Sequence, residues 1–229
     1  MAYYENGTML DRHMVEWAGY STECKAKLNI ILVDDGSPKD PALSHIKDVG
    51  ISIQLYRIKK DIPWNQNGAR NLAMTHADKG WCLLTDMDHL LPSNQLKKIF
   101  KVDWNLNQAY RPLRVKVDGS EYKRHPNTYL MTRKSYWGVG GYDESFAGYY
   151  GTDSTFRRRL NRTVKLIDTD HFHFVLYGRE DIPDASTNPD RYGRKGTKFY
   201  VSHNKKLNLR KKLTPKPIAP LNFEWERIL

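Results

Sequence analysis

Trp81-Cys82-Leu83-Leu84-Thr85-Asp86-Met87-Asp88 is the stretch on which the fold turns. Trp81 to Leu84 is short and apolar, as a strand buried on both faces is. It feeds two aspartates spaced i, i+2. The carboxyl end of such a strand opens into the crevice where α/β sheets bind ligands. Hard carboxylate oxygens there suit Mg²⁺ or Mn²⁺ over a nucleotide diphosphate. Many solvated loops also carry Asp-x-Asp, so the surroundings decide.

Upstream, Leu28 to Val33 (LNIILV) is another continuous apolar run and ends in the sharp loop Asp34-Asp35-Gly36-Ser37-Pro38. Met9 to Tyr20 has the spacing of an amphipathic helix, with Met9, His13, Trp17 and Tyr20 near one face. Pro41 to Val49 reads as a short helix, Ile51 to Ile58 as a strand and Asn67 to Asp78 as a helix closed by Lys79-Gly80. Ser93 is placed to cap a helix running to about Phe100. Helix and strand alternate over the first hundred residues, which predicts a mostly parallel sheet flanked by helices. Residues 111–132 then read as two β segments around a turn at Asp118-Gly119. Arg133 to Trp137 reads as a short helix, Asp153 to Leu160 as another, and Val164 to Ile167 as a strand.

The chain has 229 residues, 39% of them hydrophobic, with a mean hydropathy of −0.71 and a net charge of +11. That is enough for one α/β domain with a sizeable core. No apolar stretch approaches the ~20 residues of a membrane span, and Met1 to Leu10 does not read as a signal peptide. Cys24 and Cys82 lack metal-ligand spacing, and a reducing cytoplasm is the default compartment. Residues 1–178 are expected to hold the domain, with 179–229 as a basic extension rich in Pro and Gly. From Arg191 to Lys216 there are ten Lys or Arg and no Asp or Glu. This is either a solvated tail or a docking surface for nucleic acid or an anionic membrane face. Tyr192, Phe199 and Tyr200 lie among these charges, where they could stack bases.

Four ordered motifs resemble family 2 glycosyltransferases with the GT-A fold: Ile31-Leu32-Val33-Asp34-Asp35-Gly36-Ser37, Gly68-Ala69-Arg70-Asn71, Asp86-Met87-Asp88, and Gly140-Gly141-Tyr142-Asp143-Glu144 through Gly151-Thr152-Asp153 to Leu160. The last is similar to the acceptor block of the β-1,4-galactosyltransferase type as well, and the set resembles small phage-encoded members. The resemblance implies a single Rossmann-like GT-A domain, with a nucleotide-sugar half at about 1–100 and an acceptor half at about 101–178. It implies a divalent metal and a nucleotide-sugar donor, with a UDP-sugar expected.

The resemblance also distributes roles. Asp35 would accept the N3–H of the base, because a carboxylate is an acceptor only. Asp34 would join it or serve the loop's own amides. Arg70 would grip the diphosphate or the base edge, Tyr3 and Tyr4 would line the nucleotide, and Asp86 would act on the ribose or through water. Asp88 is the stronger direct metal ligand of the pair. A third ligand is usual beyond the acceptor block, and His173, ahead of His171, is the candidate. Asp153 would be the general base. Trp137, Tyr149, Tyr150, Thr152 and Arg157 would meet the acceptor. Thr152 departs from the acid the family carries there. Almost nothing precedes Tyr3-Tyr4-Glu5-Asn6, so the first strand is expected to be nearly absent, or else the chain starts at an internal methionine.

Arg111, Arg114, Lys116, Lys123, Arg124, Arg157, Arg158, Arg159 and Arg162 add positive charge around the proposed base. With the basic extension they favour a polyanionic acceptor, best guessed as DNA carrying hydroxymethylated bases. Surface polysaccharide or lipid-linked glycan is the alternative. A non-catalytic nucleic-acid-binding module on the same scaffold is the second alternative.

Overall fold

The computed structural model describes residues 1–148, 153–186 and 221–229. Strand β1 (Ala2–Tyr3) leads into α1 (Gly7–Ala18) and the short α2 (Thr22–Ala26), then β2 (Asn29–Asp34), β3 (Ser52–Ile58) and α3 (Gln66–His76). Next come β4 (Trp81–Leu84), β5 (His89–Leu90), α4 (Ser93–Ile99), β6 (Gln108–Lys116), β7 (Glu121–Tyr122) and β8 (Tyr129–Thr132). The chain continues through α5 (Arg133–Gly138), α6 (Asp153–Thr163), β9 (Lys165–Leu176) and β10 (Trp225–Arg227).

Among the described residues the strands form two sheets, in the orders β1-β2-β3-β10 and β4-β8-β6-β9-β5, with β7 on β6. The α/β architecture is the expected one. Parallel pairing holds for β1–β2, β2–β3 and β6–β9, and the other pairs are antiparallel. The apolar run of β2 is in register with β3 through Leu32↔Leu55. Helix α3 covers this sheet, burying Ala69, Leu72 and Ala73 against Val33, Tyr56 and Ile58. A second cluster joins β4 and β8 to α5 and α6 through Leu84, Tyr129, Met131, Tyr136, Phe156 and Leu160. Tyr142 stacks on Phe156 there, 4.2 Å between centroids and 12° between planes.

Several local expectations change. The first strand is present, though only two residues long, and Ala2 pairs with Val33. Strands β1 and β4 each end a sheet, and an apolar cavity of about 490 Å³ lies against Ile30, Ile31, Leu83 and Leu84. The Met1 amine is buried and donates to the Ile31 carbonyl at 2.7 Å. Burial, helped by the Arg70 charge, draws its pKa down to about 5.

The helix expected over 41–49 is a single 3-10 turn, Ala42–His45. Its first amide is captured instead by the Asp34 carboxylate, 3.0 Å from the Ala42 nitrogen. Ser93 does not cap α4. The cap is Pro92, and the Ser93 N–H donates to Glu16 Oε1. Strand β9 runs well past Ile167, with a register break where Pro112 faces Thr169 and Leu113 faces His173. Proline has no N–H to give the ladder, so the break falls beside it.

The described parts of 179–229 pack on the 1–178 body. The Asp184 carboxylate accepts the Thr8 and Met9 N–H groups at 2.6 and 3.0 Å, satisfying the first turn of α1. Ala185 is fully buried. Strand β10 adds to β3, with Trp225 edge-on to Tyr56 and His76. The basic run Arg191 to Lys216, with Tyr192, Phe199 and Tyr200, lies outside the described residues.

Candidate functional site

The carboxyl ends of β1, β2 and β4 meet the N-termini of α3 and α6 around a cavity of about 240 Å³. The loop after β2 makes one wall. Gly36 turns there at φ +77°, and a Cβ would lie 2.7 Å from the Lys60 carbonyl, so only glycine fits. The two aspartates of this loop part company. Asp34 is 1% exposed, and its oxygens accept from the Ser37 and Ala42 amides. It holds the loop and does not line the cavity. Asp35 does line it. Asn65, beside it, favours its ionised form, yet Oδ1 is buried with no partner. Burial pushes this carboxyl well above the usual range, against the pull of Asn65.

Helix α3 delivers Arg70, 5% exposed. Its Nη2 donates to Asp86 Oδ1 at 2.6 Å and to Gln66 Oε1 at 3.1 Å, and the guanidinium lies 5.1 Å from the Tyr142 ring centre. Its Nη1 is buried without a partner. Burial alone would push the Asp86 carboxyl up. The Arg70 charge, with the imidazoles of His125 and His89, outweighs burial and holds it well below the usual carboxylate range. Asn71, the next residue, donates to Tyr142 O and Glu144 Oε1 and accepts the Tyr142 N–H. It thereby fixes the glycine loop of the acceptor block.

The Asp86-Met87-Asp88 turn is held from behind. His13 Nε2, on α1, lies 2.7 Å from the Met87 carbonyl and so carries the proton. Burial draws the His13 pKa down to about 4. Asp88 Oδ1 is 2.6 Å from His89 Nδ1, but neither atom has a hydrogen bond of good geometry. Arg114 Nη1 donates to His89 Nε2 at 2.9 Å, which assigns the His89 proton to Nδ1. Across the cavity, Asp153 opens α6. Burial raises its pKa, partly offset by the Arg70 charge and a hydrogen bond from Asn127.

The structure thus gathers Tyr3, Tyr4, Asp35, Arg70, Asp86, Asp88 and Asp153 at one cavity. It does not bring His171 or His173 there. Phe172 and Phe174 point into the core, so His171 and His173, which alternate with them, face the other way. His171 meets Trp104 edge-on at 5.8 Å, and His173 feels Lys98 of α4. The imidazole at the cavity is His125, from the β7–β8 loop, with Nε2 3.6 Å from Asp86 Oδ2. Burial draws its pKa down to about 3. No local pattern in the sequence marked it, because its partner is 39 positions away, in the turn after β4.

Trp137 also sits elsewhere, its indole N–H donating to the Met74 carbonyl at 3.2 Å. Arg157 is half-buried on α6 and is not part of the cavity lining. Tyr149, Tyr150 and Thr152 lie outside the described residues. Trp64 and Arg179 line the cavity without having been marked by any motif. Of the basic cluster, Arg111 is held bidentately by Asp168 at 2.8 and 2.9 Å. Arg124 pairs with Asp168 and Asp170, and Arg114 with the Lys123 carbonyl.

Residues 22–165, more than half of the chain, match Glycosyl transferase family 2. The chain belongs to that family. It matches none of the curated proteins. Among solved structures, its fold is similar to S. aureus TarS 1-349, with a TM-score of 0.63 and 12% identity, covering 80% of this chain and 61% of that one. The same fragment in complex with UDP-GlcNAc gives a TM-score of 0.60 at 12% identity, over 83% and 61%. GalNAc-T7 with UDP, GalNAc and Mn²⁺ gives 0.61 at 15% identity, over 87% of this chain and 46% of that one. This chain therefore spans less than two thirds of those structures. Among the described residues no helix is long and apolar enough to cross a membrane.

Proposed function

We propose that this chain is an inverting glycosyltransferase that takes a sugar from a UDP-sugar and joins it to an acceptor hydroxyl. One observation carries the reading. Two buried polar atoms without hydrogen-bond partners, Asp35 Oδ1 and Arg70 Nη1, belong to residues of one cavity that also holds Asp153. Orphaned buried groups are costly unless a ligand satisfies them. Asp35 Oδ1 suits the N–H of a base such as uracil, and Arg70 Nη1 suits a diphosphate oxygen. The UDP complexes of the structurally similar TarS and GalNAc-T7 support the choice of UDP.

Asp153 is the base. It takes the proton of the acceptor hydroxyl as that oxygen bonds to the anomeric carbon, while the bond from that carbon to the diphosphate oxygen breaks and UDP leaves. Attack comes from the face opposite the diphosphate, so the configuration inverts. A raised pKa fits this role, since a base is most effective when its pKa is close to the working pH.

A divalent ion fits the donor set in type. Asp86 and Asp88 both line the cavity, two carboxylates spaced i, i+2 at the turn after β4. Among the described residues no group of three or more His, Cys, Asp or Glu is arranged to hold a metal. Mg²⁺-like ions, however, are commonly held by one or two carboxylates, substrate phosphates and water. Asp86 and Asp88 would hold it, and the Mn²⁺ named with GalNAc-T7 supports this. Bound there, it supplies neutralisation of the departing diphosphate.

For the acceptor, the reading remains DNA with hydroxymethylated bases. It is supported by the ten cations between Arg191 and Lys216. Arg111, Arg114 and Arg124 add little to it, because internal partners already engage them. The test is turnover of UDP-sugars with Mn²⁺ or Mg²⁺, and with a chelator, on hydroxymethylated and unmodified DNA. A hexose or pentose mass gain on modified DNA alone would establish this acceptor. UDP release with no transfer to DNA would move the acceptor to a glycan or lipid-linked glycan. No turnover and no UDP binding would sink the enzyme reading.

A further inference from the structure

Trp64 holds a backbone conformation that bulky side chains rarely adopt, φ +51°. Such a conformation is disfavoured and persists where its surroundings enforce it. The surroundings here are all cavity parts. Asn65 is 2% exposed, and its side chain and backbone favour the ionised form of the Asp35 carboxyl, which places residue 64 next to a neighbour of Asp35. The Tyr4 hydroxyl donates to both oxygens of Asp61 at 3.1 Å, anchoring the same loop three residues earlier. A Cβ on Gly68 would strike Asn65 Oδ1 at 2.5 Å, so α3 leaves room for only this arrangement. Trp64, half-buried, lines the same cavity as Asp35.

We infer that Trp64 is a nucleobase platform: its indole covers the flat face of the base whose edge Asp35 binds. This rests on the donor reading above and deepens it. The carboxylate reads one edge of the ring and cannot hold the plane. An aromatic face contributes the rest, and every base offers a π face to it. An invariant cost in the free protein is then offset when the base docks. A surface tryptophan kept for packing would have no cause to sit at positive φ.

The experiment is calorimetric titration of the full chain with UDP and, separately, with inorganic pyrophosphate, alongside thermal melts. Trp64→Ala is expected to weaken UDP about 5- to 150-fold, the range for loss of one base stack, and to leave pyrophosphate unchanged. Trp64→Phe keeps most of the UDP affinity. Trp64→Gly loses UDP affinity like the alanine variant, yet melts at or above the unmodified temperature, because glycine adopts φ +51° freely. Lower affinity with equal or higher stability is an outcome that a packing role does not produce. UDP affinity within twofold in both Trp64→Ala and Trp64→Gly would overturn the platform. So would an equal loss for pyrophosphate, which would place Trp64 at the diphosphate. If the unmodified chain binds no UDP, the donor-site reading fails first and this inference falls with it.

Discussion

Arg70→Met separates what holds the cavity together from what binds the donor. Arg70 is 5% exposed and makes its closest contact with Asp86, at 2.6 Å. Methionine fills nearly the same length without charge, so the variant strips Asp86 of its nearest cation. Breaking a buried pair by removing one partner costs about 3–5 kcal/mol. Asp86 keeps a quarter of its surface open to the cavity and still has His125 at 3.6 Å. The expected loss therefore falls at the low end, about 3 kcal/mol. Asp86→Asn alone leaves a buried guanidinium facing an amide and loses a similar amount. The double variant Arg70→Met with Asp86→Asn buries no charge at this pair and should lie within about 1 kcal/mol of the unmodified chain. Urea unfolding at pH 7.5 gives the stability cycle, and UDP titration gives a second one. Stability should recover in the double variant while UDP binding stays lost. Toward pH 4 the Arg70→Met deficit should shrink, since a protonated Asp86 needs no cation. A coupling below about 0.5 kcal/mol would show the two residues to be independent and refute the reasoning. Recovery of UDP binding in the double variant would make the pair purely structural.

Asp153→Asn should lower kcat by about 10²- to 10⁴-fold with UDP affinity unchanged, and the acid limb of the unmodified enzyme's kcat/KM should lie above the ordinary carboxylate pKa of about 4. A loss carried mainly by UDP affinity would remove Asp153 from the base role. Asp35→Asn should raise stability at pH 7 while weakening UDP about 10- to 100-fold. The Asp35 pKa is raised by burial, so its ionised form opposes folding above that pKa, and the gain should vanish below about pH 4, where it is protonated in both states. Unfolding curves at pH 7 and pH 3.5 check this. His13 falls from 6.5 to about 4 on folding, so the unfolded chain binds more protons between those values and stability drops as pH falls through them. The loss should be about 2 kcal/mol at pH 5 and be largely abolished in His13→Gln. An equal slope in that variant would assign the acid sensitivity elsewhere.

The sequence by itself determined the main strands and helices of the first hundred residues, β2, β3, β4, α1 and α3, and the family. Short continuous apolar runs such as Leu28 to Val33 and Trp81 to Leu84, bounded by turn residues, have the length and composition of buried strands, and that information is local. It also marked Asp35, Arg70, Asp88 and Asp153, because each belongs to a short motif at a strand end or helix start. What it left open depended on contacts between distant positions. Asp34 and Asp35 are indistinguishable in sequence, and only the path of the loop gives one its amides and the other a bare oxygen. The Ala42 amide is drawn from a helix to Asp34 for the same reason. His171 and His173 alternate correctly, yet the sheet that buries Phe172 and Phe174 turns them from the cavity, and the β7–β8 loop supplies His125 instead. The charge count around β6 was right, but Asp168 and Asp170 of β9 engage those arginines. Local composition sets which elements form and which chemistry is on hand. Which of two equivalent side chains meets the cavity is fixed by the direction of distant strands, and that direction is decided only when the sheets pack.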